Sequence, residues 1–167
     1  MRSDSENTFN VFNNPIDEIE EIINSYELDF LRNTLNELIL SYKGLWNNYE
    51  VSFNWDQYNG ILQVNNNLNI LIPVKLIEKI RIMISMINEK IVLGYFGFSI
   101  KTKSIYFRHN ISLRGMNNFS AEQVEDCIDR IICDCDKYFP AFQIFLHKKD
   151  NPEFAIKSAL LETLGEA

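Results

Sequence analysis

Histidine, cysteine and positive charge are all scarce in this sequence of 167 residues. It contains two histidines, three cysteines, and 16 lysine and arginine residues against 23 aspartate and glutamate residues, so its net charge is −7. A nucleic-acid-binding surface needs clustered positive charge to displace counterions, so this acidic chain disfavours nucleic-acid binding, and docking on anionic membranes as well. An odd number of cysteines also does not indicate a disulfide framework.

Long apolar runs are missing too. No run approaches the ~20 residues that span a bilayer, and residues 1–14 lack the apolar region of a signal peptide. We therefore expect a cytoplasmic protein that does not enter a membrane. Because residues 1–14 are polar and show no periodicity, we expect a disordered tail there, followed by a single domain over residues 15–167.

Motifs of common enzymes are absent as well. The chain has no phosphate-binding loop, no dinucleotide-binding glycine pattern, no G-x-S-x-G and no H-E-x-x-H. The stretch CIDRIICDC (127–135) lacks the C-x-x-C spacing of zinc sites, and on a helix Cys127 and Cys135 share the core face while Cys133 points elsewhere. We predict no catalytic residue, no cofactor and no metal. A thiol metal site would require all three cysteines to converge.

Charged and aromatic groups elsewhere are interpreted structurally. The carboxylate pairs Glu20–Glu21 and Asp134/Asp136 fall on predicted helices and indicate solvated faces. Three aromatic residues could form a recognition surface, but packing on a sheet face is the favoured interpretation for them; they are Trp46, Tyr49 and Trp55.

The apolar residues of the chain are numerous enough for one core, at 46% of the sequence. Their periodicity predicts the order α-β-β-β-β-α-β-β-α-α, and alternate residues from Tyr49 to Trp55 mark the clearest strand. Antiparallel hairpins with helices inserted between them predict an α+β domain with the helices on one face of the sheet.

Turn and cap residues predict several element ends. Asn59-Gly60 is typical of a type I′ turn, and Ser120 followed by Gln123 is typical of a capping box at the start of a long helix. Pro140 is expected to kink or break that helix, and His147 to follow it in a loop.

Two groups of residues are candidates for binding. The stretch YFRHNISLRG (106–115) places Arg108, His109 and Arg114 near one another in sequence, which would suit an anion or ligand site if the side chains converged. A structural strand histidine, with arginines ion-paired to the acidic surface, is the favoured alternative. In the helix after Pro73, Ile82 and Met86 fall one turn apart and outside the main apolar stripe, which makes them candidate partner contacts.

Several longer stretches carry a family resemblance. They are INEKIVLGYFGFS (87–99), IYFRHNISLRG (105–115), AEQVEDCIDRIICDCDKYFPAFQ (121–143) and LLETLGEA (160–167). Together with the hairpin at 48–64 and the helix entry at 70–80, they resemble the YbjN-type domain family, in an alphaproteobacterial-like form, over residues 15–167. The loops KTKS (101–104) and HKKDN (147–151) depart from the family pattern.

The resemblance implies a fold like that of type III secretion chaperones, a small α+β unit with a twisted antiparallel sheet and flanking helices. It also brings a family label of bacterial sensory transduction regulator. It names no ligand, no reaction and no catalytic residue. We therefore expect a non-enzymatic interaction module, regulatory or chaperone-like, that binds a protein or peptide, a second copy of itself included, at an open sheet edge or an apolar groove. The alternative is a small-ligand sensor or enzyme that uses an anion site around Arg108, His109 and Arg114.

Overall fold

The periodic segments assemble into one six-stranded antiparallel sheet with the helices on one of its faces. A computed structural model describes residues 14–116, 120–148 and 151–164, with side chains up to residue 161. The helices are α1 (Pro15–Ser25), α2 (Ile77–Asn88), α3 (Ala121–Lys148) and α4 (Pro152–Leu164). The strands are β1 (Phe30–Thr34), β2 (Glu37–Lys43), β3 (Asn48–Asp56), β4 (Ile61–Leu71), β5 (Tyr95–Ser99) and β6 (Ser104–Ser112). Both the α+β class and the predicted element order are confirmed.

The sheet has the order β1-β2-β3-β4-β6-β5, so β6 inserts between β4 and β5. Helix α1 packs on β2 and β3, α3 on β4 and β6, and α2 on β5, while α4 contacts α2 and α3. Alternate strand residues are buried beneath these helices, as the period of two requires. The ring of Phe96 meets those of Phe107, Tyr138 and Phe142 edge to face, with centroids 4.9 to 5.9 Å apart.

Side-chain caps begin three of the helices. The Asn14 side chain accepts a hydrogen bond from the Ile16 backbone N–H (3.1 Å), and Asn151 caps α4 in the same way. Ser120 and Gln123 form the predicted capping box, each side chain accepting from the other residue's backbone N–H. The predicted tail, residues 1–14, lies outside the described residues except for Asn14, which caps α1.

Three local predictions are corrected by the structure. The turn between β3 and β4 spans residues 57–60, and only Gly60 has a positive φ (+65°), so it is not a two-residue type I′ turn. The Asp56 carboxylate stabilises this longer turn by accepting from the Asn59 backbone N–H (3.0 Å). The helix does not break at Pro140, which lies within the continuous α3, and His147 lies in the last turn of α3 rather than in a loop. Buried residues on both sides of Pro140 hold the helix together despite a cost of about 3 kcal/mol for an interior proline.

Candidate functional site

The sheet face opposite the helices forms an open trough with a volume of about 560 Å³. Its floor follows from strand register, because Ile39, Ser52, Asn65 and Arg108 are successive partners across β2, β3, β4 and β6. Side chains aligned in this way are neighbours on one face of the sheet. The trough is therefore lined mainly by polar groups that no described helix covers.

Arg108 is the positively charged residue that lines the trough, and two neighbouring side chains hold its guanidinium group in place. Its Nε–H donates to the Asn65 side-chain oxygen (2.6 Å). Its guanidinium carbon lies 5.0 Å from the centre of the Tyr106 ring, a cation–π contact. No carboxylate of the described residues forms an ion pair with Arg108, so the expectation that it pairs with the acidic surface is wrong for these residues.

The Tyr106 ring can lie under Arg108 because its cross-strand partner is Gly97. A Cβ atom at residue 97 would lie 2.3 Å from Tyr106 Cζ, a distance that no packing arrangement tolerates. The glycine therefore leaves the space over β5 that the Tyr106 ring occupies.

Negative charge lines the other side of the trough, where Glu37 of β2 and Glu50 of β3 are found. The two residues lie on either side of the row that contains Ile39 and Ser52, because Glu37 precedes Ile39 by two residues and Glu50 precedes Ser52 by two. The trough thus has a cationic side at β6 and an anionic side at β2 and β3.

The structure does not bring Arg108, His109 and Arg114 together. Successive strand residues face opposite sides of the sheet, so His109 lies on the helix-covered face while Arg108 lies in the trough. Burial lowers the pKa of His109 from its ordinary value of 6.5. Arg114 follows the end of β6 and lies exposed beside Gly60. The cluster suggested by sequence proximity is therefore split between two faces and a turn.

The second candidate group lies on α2. As partner contacts, both side chains are expected to be substantially exposed in an isolated chain. Ile82 is, at 57%, whereas Met86 is half-buried and packs partly against the core. The residues that carry the main apolar stripe of α2 are buried; they are Ile80, Met83, Ile84 and Ile87. Ile82 and Met86, which we call the α2 strip, thus form a small apolar surface beside that core.

A buried polar network was not anticipated. Asp136, predicted on a solvated face, is only 8% exposed and accepts hydrogen bonds from the Tyr49 hydroxyl (2.7 Å) and from the backbone N–H groups of Leu45 (2.9 Å) and Trp46 (3.4 Å). It fastens the turn between β2 and β3 to α3. Its spacing of four from the buried Ile132 is the signal that could have placed it on the core side.

The three cysteines, and two of the three aromatic residues considered for a recognition surface, are buried or exposed as the sequence predicts. Cys127 and Cys135 are buried and Cys133 is exposed. Tyr49 and Trp55 are in the core, whereas Trp46 is exposed.

Within residues 14–116, 120–148 and 151–164, no three histidine, cysteine or acidic side chains lie close enough together to hold a metal ion. In the same residues no helix is sufficiently long and apolar to cross a membrane.

The fold and these surfaces can now be compared with known proteins. A family model named YbjN, described as "putative bacterial sensory transduction regulator", matches residues 15–143. The chain belongs to the YbjN family. The resemblance found in the sequence is thereby confirmed, and the family's description is that of a regulator.

A solved structure supports the fold of this YbjN domain. The crystal structure described as "YbjN, a putative transcription regulator from E. coli" has a TM-score of 0.51 and 11% sequence identity, over 74% of this chain and 90% of that chain. At such low identity the likeness shows the fold alone. No curated protein matches the chain.

Proposed function

We propose that this YbjN-family protein is a cytoplasmic, non-enzymatic regulator that acts by binding another polypeptide through the α2 strip. The exposure of Ile82 on a helix whose other apolar residues pack in or against the core carries the proposal. An isoleucine left 57% in water contributes little to folding, but it gains free energy when a partner covers it. The regulatory description of the family points in the same direction.

The proposed contact is a helix-in-groove or helix-to-helix interaction. Ile82 and Met86 lie one turn apart, so both can insert into the same apolar groove of a partner. An ion pair (2.8 Å) joins Glu78, one turn before Ile82, to Arg81, which directly precedes Ile82, and supplies a polar rim. A second copy of the chain is one candidate partner, since the same strip could pack against itself around a two-fold axis.

Two charged substitutions test this function. We expect Ile82→Glu/Met86→Glu to keep the far-UV circular dichroism of the wild type and to lose association. Light scattering coupled to size exclusion tests self-association, and affinity capture with a photocrosslinking residue at position 82 tests other partners.

Leu35→Glu/Tyr58→Glu is the matched control. It adds the same two charges at exposed apolar residues, which lie in the β1–β2 and β3–β4 turns and away from α2. The proposal fails if the α2 variant and this control have the same oligomeric state and crosslink the same proteins as the wild type does.

A further inference from the structure

The trough on the open sheet face is a second surface, independent of the α2 strip, and its charges are arranged in a definite way. Neighbouring strands lie about 4.8 Å apart, so the strand of Arg108 is about 10 Å from that of Glu50 and about 14 Å from that of Glu37. Arg108 therefore lies on one side of the trough, while Glu50 and Glu37 lie two and three strands away from it, on opposite sides of the row through Ser52.

Arg108 is prepared to bind a carboxylate. Asn65 engages its Nε–H and the Tyr106 ring supports its guanidinium plane, which fixes the side chain before any ligand arrives. The two terminal amino groups of a guanidinium form a planar fork that matches the two oxygens of a carboxylate. Because the fork is already ordered, binding loses little conformational entropy.

The floor between the charged sides is suited to an uncharged, hydrogen-bonding ligand segment. Ser52 and Asn65 lie in the row that leads from β3 to Arg108, and Asn67 lies beside it, two residues along β4 from Asn65. Their hydroxyl and amide groups can both donate and accept, as the N–H and C=O groups of a peptide bond require.

We infer that the trough binds a short peptide of about three residues, whose extended length of about 10 Å matches the separation of the strands that carry Arg108 and Glu50. Its terminal carboxylate binds Arg108, and its amino terminus lies on the β3 side of the trough near Glu50, with Glu37 contributing negative charge from β2. A simple anion such as phosphate would find Arg108 but also meet the two carboxylates, and a simple cation would meet Arg108. The two-signed lining favours a ligand with both charges.

The test is a titration of ¹⁵N-labelled protein with trialanine, followed by NMR. We expect the amide resonances of Ser52, Asn65 and Tyr106 to shift in a saturable manner. Arg108→Gln should weaken binding about tenfold to a hundredfold, the range expected for a charge-assisted bidentate contact. Arg114→Gln is the matched control, since it removes the same charge from an exposed residue outside the trough, and it should bind like the wild type.

Modified peptides test the same contacts without altering the protein. The carboxyl-terminal amide of trialanine should bind about tenfold or more weakly, because it cannot offer two carboxylate oxygens to the fork. The amino-terminal acetyl form should also bind more weakly, as should trialanine itself to Glu37→Gln/Glu50→Gln.

Several results would overturn the inference. Trough resonances that do not move at 10 mM trialanine would show that the site does not bind such peptides. Equal affinity for the free and amidated peptides, or for the wild type and Arg108→Gln, would remove the role of Arg108. Equal affinity for the free and acetylated peptides would remove the role of the carboxylates and leave only an anion site.

Discussion

Removing the Asp136 carboxylate is expected to loosen the attachment of the turn between β2 and β3 to α3. In Asp136→Ala the Tyr49 hydroxyl and two backbone N–H groups lose their acceptor at once. Burial and the bond to Asp136 both raise the pKa of Tyr49, so its hydroxyl stays protonated and remains as an unsatisfied buried donor. The strands and helices themselves need not change.

The magnitude follows from the geometry. A hydrogen bond to a charged group contributes about 1.5–3 kcal/mol net, and two of the three bonds are short. Since the variant also avoids burying a charge, we expect a loss of about 3 kcal/mol in the free energy of unfolding. Tyr49→Phe removes one bond and should cost about 1.5 kcal/mol. Because both changes remove the same bond, the double variant should cost less than their sum, with a coupling energy of about 1.5 kcal/mol.

Urea denaturation followed by tryptophan fluorescence measures these free energies, and Trp46 reports on the turn itself. Asp129→Ala is the matched control, because Asp129 is exposed on the same helix, and its effect should stay within about 0.5 kcal/mol. The reasoning is refuted if Asp136→Ala costs no more than this control, or if the effects of the Tyr49 and Asp136 changes are additive.

Two further predictions concern titratable groups that the fold removes wholly or partly from water. Because burial lowers the pKa of His109 below 6.5, the unfolded chain binds more protons, so the free energy of unfolding should fall as the pH drops from 7 toward 5. Urea titrations should show a smaller fall over this range for His109→Gln, and an unchanged fall would contradict the assignment. Burial raises the pKa of Cys127 to about 11 and that of Cys135 to about 12. Only Cys133 should therefore react quickly with Ellman's reagent at pH 8, and all three in denaturant; rapid reaction of a second thiol in the folded protein would contradict this.

Local patterns determined the elements of this protein. Periods of two and of three to four residues depend only on neighbours in the chain, so the order of helices and strands, the α+β class and the alternation in β3 could be predicted. The cap of Ser120 with Gln123 could be predicted for the same reason, since both groups lie within one turn. The family resemblance also lay in contiguous stretches of sequence.

Only the tertiary structure decided which distant groups meet. The trough depends on β6 pairing with β4, which places Arg108 beside Asn65, 43 residues away, and His109 on the other face. The buried Asp136 depends on a turn that returns to α3 from about 90 residues away. Chain order does not specify such pairings, because they depend on how all the helices and strands pack together and on the free energy of that whole arrangement. The sequence by itself therefore determined the elements and the family, while strand pairing decided which charged side chains lie together on one face of the sheet.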